Sequence, residues 1–144
     1  MSFDWNEYLR LAQQLGGLAD DAASRTAVSR AYYSAFHAAS MSVESNKITT
    51  NPKYERDRHL RIWNIYMDSS NKECRRIGNS GQRLKAERQY ADYDSESSFP
   101  ETRVERSIAQ ARALVAGLVR NVPESFVPGR SRIDRLITYV RRFF

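Results

Sequence analysis

Arg30, Tyr32, Tyr33 and His37 stand in a stretch, AVSRAYYSAFHAASM from Ala27 to Met41, whose other residues are mostly alanine and serine. Seven positions separate Arg30 from His37, which is two helical turns, so both fall on one helical face about 10 Å apart along the axis. A guanidinium is a flat fork of donors suited to phosphate, and an imidazole exchanges a proton near neutral pH. The second histidine, His59, and the segment holding Arg88, Asp92 and Tyr93 extend the same inventory. A metal-free ribonuclease needs a base for the 2′-hydroxyl, an acid for the leaving oxygen and a cation for the phosphorane charge. His37, His59 and Arg88 supply those three types if the fold brings them together. A plainer role fits the same residues: the tyrosines fill a core, the histidines are hydrogen-bonded within it, and Arg88 and Asp92, four apart, form an ion pair.

Helical elements must position these groups. Apolar spacing predicts a first helix over 4–15, with Ser2 or Asp4 as its cap and Gly16-Gly17 as its stop. Asp20-Asp21 opens a second helix that carries the central stretch to about Glu44, where small residues at helical spacing let neighbours approach on more than one side. A third is expected over 53–69, after the turn-rich SNKITTNP. From Asn71 to Tyr93 the pattern is helical on both sides of GNSG, residues 78–81, which reads as a turn or kink. Phe99-Pro100-Glu101 starts a further helix with the stripe Val104, Ile108, Ala111, Val115 and Leu118, and Pro123 ends it. No stretch alternates as a strand does. The expected fold is all-α: an antiparallel up-and-down bundle of four long helices over residues 1–122, then a linker and a short amphipathic helix over 123–144. Tyr33, Leu84, Ile108, Ala111 and Val115 are its expected core.

With 144 residues, 41% of them hydrophobic and 28% charged, the chain fits one globular domain. No apolar run approaches a membrane span, and the N-terminal residues lack a basic region followed by an apolar one, so a cytoplasmic location is expected. Cys74 is the single cysteine and reads as an ordinary helix residue; no zinc spacing, phosphate-binding glycine loop or nucleophile elbow is present, and no metal or other cofactor is expected. The net charge of +6 fits an anionic partner, RNA or a nucleotide, met by Arg56, Arg58, Arg61, Arg75, Arg76 and Arg83. A soluble surface that is simply basic fits the same charge.

The order of these features resembles a known family. An early helix closing on a glycine pair, SRAYYSAFHAAS from Ser29 to Ser40, His59 on the next helix, and RLKAERQYADYD from Arg83 to Asp94 are similar to the HEPN family (higher eukaryotes and prokaryotes nucleotide-binding domain). The resemblance covers about residues 4–118. It implies a helical, commonly dimeric domain acting beside a small nucleotidyltransferase in toxin–antitoxin or defence settings, and in many members a metal-independent ribonuclease. The family's catalytic signature is an Arg, four to six residues, and a His; here the segment reads Arg88-Gln89-Tyr90-Ala91-Asp92-Tyr93, with Asp92 or Tyr93 where the His is expected. The resemblance implies Arg88 with Asp92 or Tyr93 at the catalytic position and a homodimer as the assembly; Arg30 and His37 have the same spacing but lie on the earlier helix, and with His59 they join the candidate catalytic set on their chemistry, a non-catalytic interaction subunit being the alternative. The apolar face of Ser131 to Phe144 fits self-association, and equally a fold back onto the bundle as a fifth core helix.

Overall fold

The computed structural model describes residues 2–129, and among them it contains helices and no strand. Five α-helices follow in order: α1 (Asn6–Gly16), α2 (Asp21–Ser45), α3 (Arg58–Met67), α4 (Lys72–Tyr93) and α5 (Glu101–Leu118), with a 3-10 turn at Pro52–Tyr54. The chain is therefore all-α. The predicted C-terminal helix over 131–144 lies outside the described residues.

Short polar side chains set the helix starts. Asp20 accepts the Ala23 N–H at 3.0 Å, Asp57 that of Leu60 at 3.0 Å, and Asn71 those of Glu73 and Cys74 at 2.8 and 3.1 Å, each satisfying a first-turn donor. The Asp57 cap corrects the expected continuous helix over 53–69: the chain makes one 3-10 turn after Pro52, breaks, and restarts at Arg58.

The long helix α2 packs against α1, α4 and α5, while α3 lies mainly on α4. Ala27, Ala31, Ala35 and Ala39 of α2 are fully buried, so small residues do bring the neighbours close. Trp63, Tyr32, Tyr66, Phe36, Ile62 and Leu84 fill the space between them. Leu84, Ile108 and Ala111 are buried as expected, whereas Tyr33 and Val115 are half-buried at the edge of the core.

The glycines of α4 do not interrupt it. The helix runs from Lys72 to Tyr93 without a turn, and the glycines serve the packing of α3 instead. A Cβ at Gly81 would fall 2.3 Å from the Trp63 ring, and one at Gly78 would fall 2.5 Å from both the backbone nitrogen and Cγ of Met67. Hydrogen there is a condition of the seam, even though each glycine costs a helix interior about 1 kcal/mol.

After α5 the chain returns along the molecule. The Glu124 carboxylate accepts from the Ser69 hydroxyl and from the Ser70 hydroxyl and N–H; Phe126 N–H donates to Thr49 O at 2.7 Å, and Pro123 is buried. Residues 123–126, expected as a linker, are thus bound along the loops that flank α3. Among the described residues no helix is long and apolar enough to cross a membrane.

Candidate functional site

On α2, Arg30, Tyr33 and His37 follow one another at intervals of three and four, the spacing that stacks side chains on one face. Tyr33 is the centre of the cluster. The Arg30 guanidinium lies 5.1 Å and the Arg88 guanidinium 5.5 Å from the Tyr33 ring centroid, while the rings of His37 and His59 each lie 6.1 Å away. Arg30 also sits 4.7 Å over Tyr8 of α1. Trp5, immediately before α1, stacks on His37 with centroids 3.5 Å apart and planes 12° from parallel. Two aromatic residues of the N-terminal region therefore complete a site that the sequence reading assigned to α2, α3 and α4.

The first turn of α3 supplies His59. Its ring stacks on Phe36 at 4.2 Å, and its Nδ1 lies 2.6 Å from the hydroxyl of Tyr32, which receives the indole N–H of Trp63 at 3.1 Å. Arg58, beside it, lies 5.5 Å over Phe36 and donates to the Ser40 hydroxyl at 3.2 Å.

From α4 comes Arg88, only 9% exposed. One of its terminal nitrogens stands 3.6 Å from a carboxylate oxygen of Asp92, which also accepts from the Ser29 hydroxyl at 3.3 Å, and its Nε is buried without a hydrogen-bond partner among the described residues. Tyr32 and Tyr93 flank the same guanidinium at 5.6 and 6.0 Å. A buried cation with one loose ion pair and an unused donor is incompletely satisfied by the protein.

The electrostatics follow from this crowding. Burial, then Arg58, His59 and Arg30, push the His37 imidazole below its ordinary 6.5; burial, then Lys85 and Arg88, push His59 down against the opposing pull of Asp57. Both shifts favour the neutral ring. The surroundings hold four cations, Arg30, Arg58, Lys85 and Arg88, and can offer an anion many donors and an uncharged imidazole.

All six residues expected to do chemistry, Arg30, His37, His59, Arg88, Asp92 and Tyr93, thus gather around Tyr33 and Arg88. The arginines expected to meet nucleic acid disperse. Arg58 belongs to the site, Arg61 is half-buried, and Arg56 and Arg83 are exposed. Arg75 donates to the Ser69 and Ser70 carbonyls at 3.1 and 2.7 Å, which closes the α3–α4 turn, and Arg76 pairs with Glu73 at 2.8 Å on the surface.

Tyr33, Trp5, Tyr8 and Lys85 join the site beyond the six residues expected to do chemistry. Tyr33 and Lys85 had a signal: Tyr33 shares the face of Arg30 and His37, and Lys85 precedes Arg88 by three. Trp5 and Tyr8 had none beyond their own apolar stripe. Cys74 is fully buried, and burial pushes its thiol above the ordinary value. Among the described residues no group of three or more His, Cys, Asp or Glu is placed to hold a metal ion. An apolar groove of about 490 Å³ between Phe3–Asn6, Met41 and Val115–Val119 carries none of these cations. No protein-family model matches the chain, and neither a curated protein nor a solved structure matches it.

Proposed function

We propose that this chain binds RNA at the Tyr33 cluster and cleaves it without a metal ion, as a protein of HEPN type. The observation that carries the reading is the meeting of two neutral imidazoles and two guanidiniums, His37, His59, Arg30 and Arg88, around one half-buried ring. His37, held by stacking on Trp5, takes the proton of a 2′-hydroxyl as that oxygen bonds to the adjacent phosphorus. The bond from phosphorus to the 5′ oxygen breaks, and the leaving oxygen takes a proton from water. The products are a 2′,3′-cyclic phosphate and a 5′-hydroxyl end. Arg30 and Arg88 carry the negative charge that grows on the phosphorane, in a partly desolvated setting where such contacts count for more than in water. The helices are read as an antiparallel up-and-down bundle of HEPN type, and the chain as a cytoplasmic homodimer working with a nucleotidyltransferase in a toxin–antitoxin or defence system.

One observation favours a second reading, in which the chain binds RNA or a nucleotide without cutting it, or serves as an interaction subunit of the nucleotidyltransferase. Asp92 stands beside Arg88 where the family carries its histidine and neutralises part of the charge an anion would meet.

Purified protein in EDTA separates the two. Under the first reading it cuts RNA and spares DNA of the same sequence, since only RNA has the internal nucleophile. His37→Ala and Arg88→Ala abolish cutting while circular dichroism and light scattering stay those of the parent. Binding weakens steeply as salt rises, because each neutralised phosphate releases counterions. If the folded wild type cuts no RNA, alone or with its neighbouring gene product, the ribonuclease reading fails.

A further inference from the structure

We infer that Tyr32 is a positioning residue that fixes His59 as the tautomer with its proton on Nε2, so that the ring nitrogen turned away from the buried phenol is an N–H donor rather than a proton acceptor. Each hydrogen along this buried chain has to be placed. Trp63 and Tyr32 are both fully buried. The indole N–H can only donate, so the Tyr32 oxygen accepts it at 3.1 Å. The phenol has one hydrogen left to place, and among the described residues its one further partner is Nδ1 of His59, at 2.6 Å.

Two arrangements share that distance. In one, Nδ1–H donates to the phenol oxygen and the phenol hydrogen is left in the core with no acceptor, an arrangement that carries the desolvation penalty of a buried polar group. In the other, the phenol donates to a bare Nδ1 and every hydrogen in the chain is used. The second leaves the imidazole proton on Nε2, and the two ring nitrogens point away from each other, so the nitrogen opposite the buried phenol carries the hydrogen.

The surroundings hold the ring in that state. Lys85 and Arg88 from α4 and Arg58 beside it oppose a positive imidazole, Asp57 at the start of α3 favours one, and from α2 the ring meets Tyr32, Tyr33 and Phe36. Relaying the phenol proton inward would place a phenolate in a core that disfavours it. The Trp63–Tyr32–His59 chain therefore orients a ring and does not transport a proton.

The catalytic consequence rests on the ribonuclease reading; the tautomer does not. If His59 is a fixed donor, proton abstraction falls to His37 alone. The rate then rises with pH through a single ionisation below neutrality and levels off, where an acid–base histidine pair would give a bell.

Nitrogen-15 NMR of histidine-labelled wild type at pH 7.5 tests the tautomer without any variant. The expected spectrum has His59 Nδ1 in the unprotonated range and Nε2 in the protonated range. A protonated Nδ1 or an averaged pair of shifts overturns the inference. In Tyr32→Phe the two shifts should move toward each other, with kcat lowered about 10-fold and KM nearly unchanged, the size of loss that follows when a ring-orienting partner is removed. Unchanged shifts in that variant overturn it too, as does a bell-shaped profile in a cutting wild type. A folded protein that cuts nothing yet shows the fixed tautomer supports Tyr32 in this role and removes only the ribonuclease reading.

Discussion

The α3–α4 seam and the Tyr33 cluster lie a few side chains apart and follow opposite rules. At the seam, Trp63 and Met67 press on Gly78 and Gly81 so closely that a single methyl group has no room. At the cluster, Arg88 keeps an unpartnered nitrogen, and four cations act on two uncharged imidazoles. One region has spent all its space, and the other holds charge that the protein alone does not satisfy. Trp63 belongs to both, with its ring on Gly81 and its N–H on Tyr32. A rigid seam is what lets an unsatisfied site keep its geometry.

The largest effect is expected at the seam. Gly81→Ala should lower stability by about 2–3 kcal/mol in urea unfolding, since overpacking against an immobile indole outweighs the ~1 kcal/mol of helix propensity gained. An unchanged midpoint would mean that α3 can slide, and the contrast would dissolve. At the cluster the opposite is expected. Arg88→Met combined with Asp92→Leu, which keeps the bulk and leaves neither charge of the loose pair uncompensated, should change stability by less than about 1 kcal/mol, and in the stabilising direction, while RNA affinity drops about 10-fold. A loss of about 3 kcal/mol there would make the pair a structural strut.

The smallest effect is expected from pH. His37 and His59 have folded pKa values below their ordinary 6.5, so the unfolded chain binds protons first as pH falls. Their neutral packing is fully compatible with folding above pH 7, and stability declines as pH drops from about 6.5 through the folded values. The urea midpoint of the wild type should fall between pH 7.5 and 5.5 by more than that of His37→Gln. Equal declines in the two proteins would show that His37 is not desolvated by Trp5.

Much of the architecture was legible because periodicity and caps agree. The helix class, the start of α2 at Asp20-Asp21 and the start of α5 after Pro100 follow from local rules that the tertiary structure leaves alone. Where the structure differs from the expectation, either a nonlocal partner or a local sign hidden under the apolar pattern decided. Glycine at 78 and 81 looks like a break within α4, and only the indole of Trp63, 18 residues before Gly81, explains why it is not. The break before α3 had a local sign, Asp57 ahead of Leu60, that the apolar pattern of 53–69 hid. Aromatic residues at helical spacing usually go to the core, which is why Tyr33 is expected there, although its own face, Arg30 to His37, marks it for the site. That His37 would stack on Trp5 depends on how α1 lies on α2, which no spacing within either helix reveals.

The two tryptophans of this chain stand one in each region. Trp63 is sealed in the seam, and Trp5 lies flat on His37. Their emission is therefore divided by location: the sealed indole is shielded from aqueous quenchers until the helices separate, while the stacked one dims when the imidazole beneath it takes a proton. Light from the same molecule reports the integrity of the scaffold and the charge state of the Tyr33 cluster as two separable signals, with no dye attached.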